Sequence, residues 1–221
     1  MNDLTIILPT RNEREGLKQT LLDLSMLCTS ENKFKTLIID TNSTDGTLEV
    51  ARDFGIQVIK EPRKGKGYAI STGLKSVKTD YAIILDADGT YPAYFIPLFY
   101  SLLKEGRDVI FGWRATRSKD AMSWYHVLGN WILSNLASIL YLTRIEDVCT
   151  GMKGFSRKAI DQLDLSEHGF GIECQIFSQT IKKRLVWIEV PIRYDKRIGQ
   201  AKLGTISGFL DLAWVLIKER I

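Results

Sequence analysis

The chain has 221 residues, of which 45% are hydrophobic and 25% are charged, a balance typical of soluble globular proteins. This length and composition exclude a disordered or fibrous chain and predict one domain over residues 1–221. The net charge of +4 is mild, and the basic residues are spread along the chain, so we expect no nucleic-acid partner.

Cysteine usage and the first residues indicate a compartment. Cys28, Cys149 and Cys174 lie far apart and are odd in number, a pattern typical of neither a disulfide framework nor a zinc site. The chain enters a strand-like run at once, without the basic and apolar regions of a signal peptide. We therefore expect a cytoplasmic protein.

The first half alternates β-rich runs with helical periodicity, the pattern of a parallel sheet with crossover helices. The predicted strands are 4–8, 36–39, 57–59, 81–85 and 109–111. The predicted helices between them are 13–27, 44–54, 67–77 and 94–104. Several strands are apolar at nearly every position, as expected when helices cover both faces of the sheet.

The second half is less regular and contains no repeat, low-complexity stretch or Pro/Ser-rich linker. Its predicted helices are 123–141, 172–183 and 206–219, and its predicted strands are 151–156 and 185–190. Nothing in this half marks a domain boundary.

Polar clusters follow three of the predicted strands. They are residues 9–13 (Pro-Thr-Arg-Asn-Glu), 40–43 (Asp-Thr-Asn-Ser) and 86–89 (Asp-Ala-Asp-Gly). Ligands of open α/β sheets bind at the carboxyl ends of the strands. The three clusters therefore predict one binding crevice at that edge.

Asp86 and Asp88 follow an apolar strand and are one residue apart. Two carboxylates in this position can face one hard cation, and Mg²⁺ or Mn²⁺ held this way also binds diphosphate oxygens. Asp and Gly also favour a simple turn, so the motif alone leaves both interpretations open.

Asp40 lies at the end of its strand, where a carboxylate can accept hydrogen bonds from a nucleobase or a ribose. We predict that Asn42 or Ser43 caps the next helix and that Asp45 lies in its first turn.

A basic loop containing glycine, residues 63–69, leads into another predicted helix and includes Lys66. Backbone N–H groups at a helix start, together with an ammonium group, suit a phosphate. A solvated basic loop has the same composition, so both interpretations stay open.

Together these motifs resemble the family 2 glycosyltransferases of GT-A (nucleotide-diphospho-sugar transferase) fold, a mostly parallel Rossmann-like sheet flanked by helices. The shared motifs are residues 9–13, 40–47 and 86–88. Residues 112–114, 147–151, 189–192 and 197–202 look like those of dolichol-phosphate mannose synthases and their polyprenyl-phosphate hexose relatives. The resemblance covers nearly the whole chain, and the order and spacing of its motifs are specific.

The resemblance implies a nucleotide-sugar-binding half, residues 1–112, and an acceptor-binding half, residues 113–221, with possible membrane-facing helices. The implied reaction is an inverting, metal-dependent hexose transfer from GDP-mannose or a UDP-sugar to a polyprenyl or dolichyl phosphate. The implied location is the cytoplasmic face of a membrane, with peripheral attachment to the membrane surface or to a small membrane-embedded partner.

With the motifs above, the resemblance assigns residues to each task. The nucleotide-sugar-binding residues are Pro9, Thr10, Asn12, Glu13, Asp40, Asn42, Lys66, Asp86, Ala87 and Asp88. The catalytic residues are Asp88, Arg114, Arg197 and Lys202, and the ligands of Mg²⁺ or Mn²⁺ are Asp86 and Asp88. Two positions depart from the family pattern: Thr41 stands where many members have a second Asp, and His126 stands where a basic residue is common.

Two other functions remain open at this stage. A same-fold enzyme that acts on a saccharide or another hydroxyl acceptor would need a carboxylate base, for which Asp147 and Glu173 are the candidates. A non-catalytic nucleotide-sugar-binding protein is the third alternative. A lipid phosphate, by contrast, is already anionic and needs positioning and electrostatic help more than a base.

Residues 121–143 contain no Asp, Glu, Lys or Arg and are long enough to cross a bilayer. We predict no crossing, because a polar stripe runs along one helical face: His126, Asn130, Ser134 and Ser138. The opposite face carries Trp124, Leu128, Trp131, Ile132, Leu136 and Ile139. Either a membrane-interface helix that presents a polyprenyl tail or ordinary packing on the sheet explains this spacing.

Overall fold

In a computed structural model that describes residues 1–29, 33–199 and 206–221, helices cover both faces of a seven-stranded sheet. The strands are β1 (Leu4–Thr10), β2 (Lys35–Asp40), β3 (Gln57–Lys60), β4 (Tyr81–Ile84), β5 (Val109–Arg117), β6 (Lys153–Ser156) and β7 (Trp187–Tyr194). The helices are α1 (Arg14–Leu27), α2 (Thr47–Asp53), α3 (Lys66–Ser76), α4 (Ile96–Lys104), α5 (Trp124–Tyr141), α6 (Arg157–Gln162), α7 (Ile172–Lys182) and α8 (Ile206–Arg220). A short 3-10 helix, Ala93–Phe95, precedes α4.

The strand order is β3-β2-β1-β4-β6-β5-β7. All neighbouring pairs are parallel except those of β6, which is antiparallel to both β4 and β5. The predicted α/β fold with a mostly parallel sheet is therefore confirmed. Thr10 lies opposite Asp40, and Ile7 lies opposite Ile84. The three polar clusters consequently follow β1, β2 and β4 at the same edge.

Strand alternation divides the core into two layers. Ile6 and Leu8 of β1 pack with Leu17 of α1 and Phe99 of α4 on one face of the sheet. Ile7 points to the other face, which is covered by α3, α7 and α8. Because both faces are covered, the central strands are apolar at most positions, as the sequence indicated.

The predicted start of α2 was wrong. The helix begins at Thr47, after Gly46 with a φ of 92°, so neither Asn42 nor Ser43 is its N-cap. Asp45 lies before the helix, and its carboxylate accepts hydrogen bonds from the backbone N–H groups of Thr47 at 3.0 Å and Arg14 at 3.1 Å. Asp45 therefore ties the start of α2 to the start of α1.

Elements of the second half also differ from the prediction. β5 extends to Arg117 and β7 to Tyr194, because the two strands continue to pair with each other. Pro191 lies inside β7, where an edge strand tolerates the missing N–H group. Helix α6 was not predicted, since six residues are too few for a periodic pattern.

Helix α5 buries Leu133, Ala137 and Tyr141 and leaves several large apolar side chains exposed. Ser134, on its polar stripe, is buried and accepts a hydrogen bond from the backbone N–H of Val148 at 3.1 Å. On the apolar face, Trp131 is 62% exposed and Ile139 is 72% exposed. Most of this face is therefore exposed, while Leu136 is partly buried against the core, and the membrane-interface interpretation stays a prediction.

Helix α8 continues the same apolar surface. It packs beside α5 and leaves Leu210 and Trp214 exposed, while Leu212 and Leu216 are buried. Within the described parts of the chain, no helix combines the length and the apolar content needed to cross a membrane.

Glu189 of β7 holds the turn that precedes β6. Its carboxylate accepts hydrogen bonds from the backbone N–H groups of Glu146 at 2.9 Å and Asp147 at 3.2 Å. Burial raises the pKa of Glu189 from 4.5 to about 7; these backbone bonds oppose the rise, and the negative charges of Asp147 and Glu146 add to it.

This pKa predicts that Glu189 makes the protein less stable as the pH rises. Between about pH 4.5 and pH 7 the unfolded state loses the Glu189 proton first, so the free energy of unfolding falls and stays lower above pH 7. In Glu189→Gln this fall should be smaller. Urea unfolding at about pH 5 and pH 7.5 measures it, with the exposed Glu105→Gln as control. Parallel pH curves for wild type and Glu189→Gln would contradict the prediction.

Candidate active site

A cavity of about 850 Å³ lies at the carboxyl edge of the sheet and extends between α5 and α8. This volume is within the range of small-molecule sites, roughly 300–1,000 Å³. The predicted site residues that line it are Pro9, Thr10, Glu13, Lys66, Asp86, Ala87, Asp88, Arg114 and Arg197. The structure therefore brings together residues from both halves of the chain.

The loop after β4 presents Asp86 and Asp88 to the same cavity. Two glycines allow this loop to pack closely on its neighbours. A Cβ atom on Gly16 of α1 would lie 2.7 Å from the Asp88 Cα, and one on Gly151 would lie 2.1 Å from an Asp86 carboxylate oxygen. Side chains at these positions would displace the acidic loop.

Asp88 is fixed from within its loop and from the segment after β7. Its carboxylate accepts hydrogen bonds from the backbone N–H of Thr90 at 3.1 Å and from the Thr90 hydroxyl at 2.5 Å. Arg197 donates to both Asp88 and Glu13, and the Ile198 N–H donates to the Asp88 carbonyl at 3.0 Å. Arg197 thus joins the loop after β4 to the start of α1.

Asp86 lies beside a second cation. The Lys66 ammonium nitrogen is 2.7 Å from one Asp86 oxygen and 2.7 Å from a Glu173 oxygen. Burial raises the pKa of Asp86, Lys66 opposes this rise, and the carboxylates of Asp88 and Glu173 add to it, so that the pKa lies above its ordinary value. The negative charges here therefore favour a positive ligand.

The donor chemistry of this site fits a hard divalent cation. Asp86 and Asp88 supply carboxylate oxygens to one cavity, and both are already paired with cationic side chains. Among the described residues, no cluster of three or more His, Cys, Asp and Glu side chains is arranged as a metal site. Mg²⁺ in nucleotide sites characteristically uses one or two carboxylates, with waters and substrate phosphates completing its shell.

Arg114 is buried in the lining of the cavity and forms a bidentate ion pair with Asp147. Its Nε is 2.5 Å from one Asp147 oxygen, and a terminal nitrogen is 2.7 Å from the other. Burial alone would lower the pKa of Arg114, but Asp147 raises it well above its ordinary value. The guanidinium carbon also lies 5.2 Å from the centre of the Tyr194 ring. Arg114 is therefore a fixed positive charge at the cavity.

Three predicted nucleotide-binding residues are not in the cavity lining, and each braces the loops around it. Asp40 is buried and accepts hydrogen bonds from Thr10 at 3.3 Å and from the Ser43 hydroxyl at 2.5 Å. Asn12 accepts from a backbone N–H at 2.8 Å, and Asn42 donates to the carbonyl of residue 62 at 2.9 Å. The nucleotide role of these residues stays a prediction. Lys202 lies outside the described residues.

Sequence reasoning missed several residues that line the cavity or lie behind its wall. Lys153 is 1% exposed and pairs with Glu173 behind Lys66, a partnership that no local pattern in β6 announces. Phe170 and Tyr194 line the cavity beside the charged groups. Tyr194 was missed because it lies at the end of β7, beyond residue 190, where the predicted strand ended.

Several known proteins similar to this chain are glycosyltransferases. The model of "Glycosyl transferase family 2" matches residues 5–164. A "dolichyl-phosphate hexose transferase" of Haloferax volcanii is 27% identical over 217 residues, covering 98% of this chain and 93% of that protein. A "dolichol-phosphate mannosyltransferase" of Pyrococcus furiosus is 26% identical over 227 residues, covering 97% of this chain and 64% of that protein.

Solved structures show the fold. Glucosyl-3-phosphoglycerate synthase of Mycobacterium tuberculosis, crystallised with Mn²⁺, UDP-glucose and phosphoglyceric acid, superposes with a TM-score of 0.78 at 19% identity. The superposition covers 98% of this chain and 79% of that one. This chain and that structure share the GT-A architecture that the sequence predicted. Since the family match extends over most of its length, the chain is a glycosyltransferase that belongs to glycosyl transferase family 2.

Proposed function

We propose that this glycosyltransferase moves a hexose from GDP-mannose or a UDP-sugar to a polyprenyl or dolichyl phosphate at the cytoplasmic face of a membrane. The observation that carries the proposal is the two-part cavity. Its end at the sheet is charged, and its other end runs between the apolar helices α5 and α8. A lipid phosphate has the same two parts.

The apolar end suits an isoprenoid chain. Leu128, Gly129 and Ile132 of α5 and Phe209 and Leu212 of α8 line it. Because apolar surface leaves water favourably, these side chains would stabilise a hydrocarbon tail along the groove. Gly129 faces Phe209 across the groove: a Cβ atom there would lie 3.6 Å from the Phe209 ring, an ordinary contact, and a larger side chain would reach into the groove.

The charged end suits two anionic groups. In the proposal, Lys66 meets the donor diphosphate, while Arg114 and Arg197, with Lys202, meet the acceptor phosphate and the donor diphosphate. A guanidinium group binds phosphate oxygens through parallel N–H bonds, which orients the phosphate as well as attracting it. A divalent cation on Asp86 and Asp88 would neutralise the diphosphate charge as the nucleotide leaves.

The reaction that follows needs no protein base. An acceptor phosphate oxygen attacks the anomeric carbon, the bond from that carbon to the diphosphate oxygen breaks, and the configuration inverts. The protein holds the two reactants in line and screens their charges, and both effects lower the barrier without proton transfer.

The two candidate bases for a hydroxyl acceptor are both engaged by cations. Asp147 is buried and paired with Arg114. Burial would raise the pKa of Glu173, but Lys153 and Lys66 together hold it below its ordinary value. Since a general base needs a pKa near the working pH, these contacts favour an acceptor that is already an anion.

The relatives support the same acceptor. The Haloferax and Pyrococcus proteins are named for dolichyl-phosphate hexose and mannose transfer, and the first is similar over nearly its whole length. The structural neighbour was crystallised with Mn²⁺, UDP-glucose and phosphoglyceric acid, which supports a nucleotide-sugar donor and a divalent metal but not a lipid acceptor. We therefore propose a nucleotide-diphosphate sugar as donor, a divalent metal ion and a dolichyl or polyprenyl phosphate as acceptor.

In the proposal, helices α5 and α8 also contact the membrane surface. The exposed apolar faces of α5 and α8 adjoin the groove, and both include an exposed tryptophan, Trp131 and Trp214. Aromatic side chains favour the headgroup region of a bilayer. In the proposal these faces rest on the membrane, so that the lipid enters the groove without leaving the bilayer.

The product assay decides the acceptor. Purified protein with Mn²⁺ should convert dolichyl phosphate and labelled GDP-mannose or UDP-glucose into a lipid-linked sugar, detected by solvent extraction. Dolichol, which has a hydroxyl in place of the phosphate, is the matched control and should give no product. Asp88→Asn or chelation of the metal should lower the rate about a hundredfold, as loss of a charge-stabilising group does. Product from dolichol but not from dolichyl phosphate would sink the proposal.

Narrowing the groove should impair lipid use alone. We expect Gly129→Leu to raise the KM for dolichyl phosphate about tenfold, because the leucine fills space beside Phe209 and overpacking disfavours the bound tail. Binding of GDP or UDP, measured by calorimetry, should not change. Gly129→Ala is the control, since its Cβ makes only an ordinary contact. An unaltered KM in Gly129→Leu would show that the tail lies elsewhere.

Membrane attachment is tested by sedimentation with vesicles of phosphatidylcholine and phosphatidylglycerol. The double variant Trp131→Glu/Trp214→Glu should reduce the bound fraction at least about tenfold, because burial of one large apolar side chain contributes roughly 1.5–3 kcal/mol. Met26→Glu, at an exposed apolar residue of α1, is the matched control. Equal sedimentation of the double variant and the control would refute the assigned membrane face.

A further inference from the structure

We propose that Glu173, together with Lys153, is a positioning residue that holds the Lys66 ammonium at the place of the donor diphosphate. The inference rests on the proposed function, because it concerns how the same site binds its donor. It gives a task to two buried charged groups that the reaction itself does not use.

Four charged groups form a chain from the core to the cavity. Lys153 is buried in β6 and pairs with Glu173 of α7. Glu173 lies 2.7 Å from Lys66 at the start of α3, and Lys66 lies 2.7 Å from Asp86. We call this row, Lys153–Glu173–Lys66–Asp86, the charge chain. Its members alternate in sign, and only its outer end lies at the acidic loop.

Backbone packing fixes the distance between Lys66 and Glu173 in the charge chain. The Gly67 N–H donates to the His168 carbonyl at 2.9 Å, and a Cβ atom on Gly67 would lie 2.0 Å from the Glu167 carbonyl oxygen. The first turn of α3 is thereby pressed against the segment that precedes α7. This contact places Lys66 beside Glu173 whether or not Asp86 remains its partner.

Lys66 needs Glu173 as a second carboxylate partner, because a divalent cation would compete with Lys66 for its first partner, Asp86. If Asp86 turns its oxygens to a divalent ion, Lys66 keeps one anchor, Glu173. A lysine side chain loses much rotational freedom when it is fixed, so an ammonium group that is already held binds phosphate with less entropic loss. Glu173 therefore preorganises Lys66 for the diphosphate.

Lys153 prevents Glu173 from cancelling the positive charge of Lys66. Glu173 alone would neutralise Lys66, but Lys153 pairs with Glu173 from the core side. Once Asp86 is neutralised, two ammonium groups face one carboxylate, which leaves a net positive charge in the row. That charge attracts the anionic donor.

The test variant replaces the buried pair as a unit. Glu173→Gln alone leaves Lys153 buried without its carboxylate, which destabilises a fold, whereas Lys153→Met/Glu173→Gln removes both charges and is tolerated more often. Calorimetry with Mn²⁺ would measure binding of GDP, UDP, guanosine and uridine. We expect the double variant to bind the preferred nucleoside diphosphate about tenfold more weakly and its nucleoside unchanged, because only the diphosphate meets Lys66.

A double-mutant cycle separates positioning from general damage. In a Lys66→Met background, the same double change should cause no further loss of diphosphate affinity, since it acts through Lys66. Glu173→Asp, which keeps the charge but shortens its reach, should give a smaller loss with the same nucleoside control. Glu167→Gln, which removes a carboxylate paired with Lys218, should bind as wild type does.

The outcomes are distinct. Equal loss for nucleoside and nucleoside diphosphate, an undiminished loss in the Lys66→Met background, or no loss at all would overturn the positioning role. Wild-type protein that binds neither GDP nor UDP would overturn the proposed function and this inference with it. Wild-type binding with unchanged variants would overturn the inference alone.

Discussion

The structure depends on how two carboxylates are held at one strand end. Asp86 and Asp88 both lie in the loop after β4, and two neighbouring carboxylates repel each other unless cations lie beside them. Lys66 and Arg197 provide those cations from distant parts of the chain. The acidic loop therefore draws α3 and the segment after β7 toward each other, and the cavity forms where they meet. In the proposed function, a metal ion would replace the paired cations and substrate phosphates would replace the paired anions.

The sequence predicted the features that follow from local periodicity. Alternation of apolar strands and helices is a short-range signal, and it correctly indicated the mostly parallel sheet and the edge where Asp86 and Asp88 lie. Spacing could not set the ends of the elements, because those depend on contacts between segments. α2 begins late since Gly46 turns the chain, and β7 continues through Pro191 since it pairs with β5 at the sheet edge.

The partners of the charged groups could not be read from the sequence. Arg114 and Asp147 are 33 positions apart, and Lys153 and Glu173 are 20 apart, so no helical or strand period connects them. Asp147 and Glu173 consequently resemble free bases in the sequence and prove to be paired anions in the structure. Asp40 also has partners that its place at a strand end did not predict, the hydroxyl groups of Thr10 and Ser43, and its nucleotide role stays a prediction.

The orientation of α5 links the polar site to its surroundings. Helix α5 buries Leu133, Ala137, Tyr141 and one serine, and it exposes Trp131. Exposed apolar surface is unfavourable in water, and a buried polar group needs a partner. The buried serine of this helix has such a partner, the Val148 N–H that lies next to Asp147 in the chain. The polar stripe thus secures the turn that fixes Arg114, and the apolar face remains outward beside the groove. One helix therefore connects the charged end of the cavity with a surface suited to hydrocarbon, and this connection is the physical basis for proposing a lipid phosphate as the acceptor.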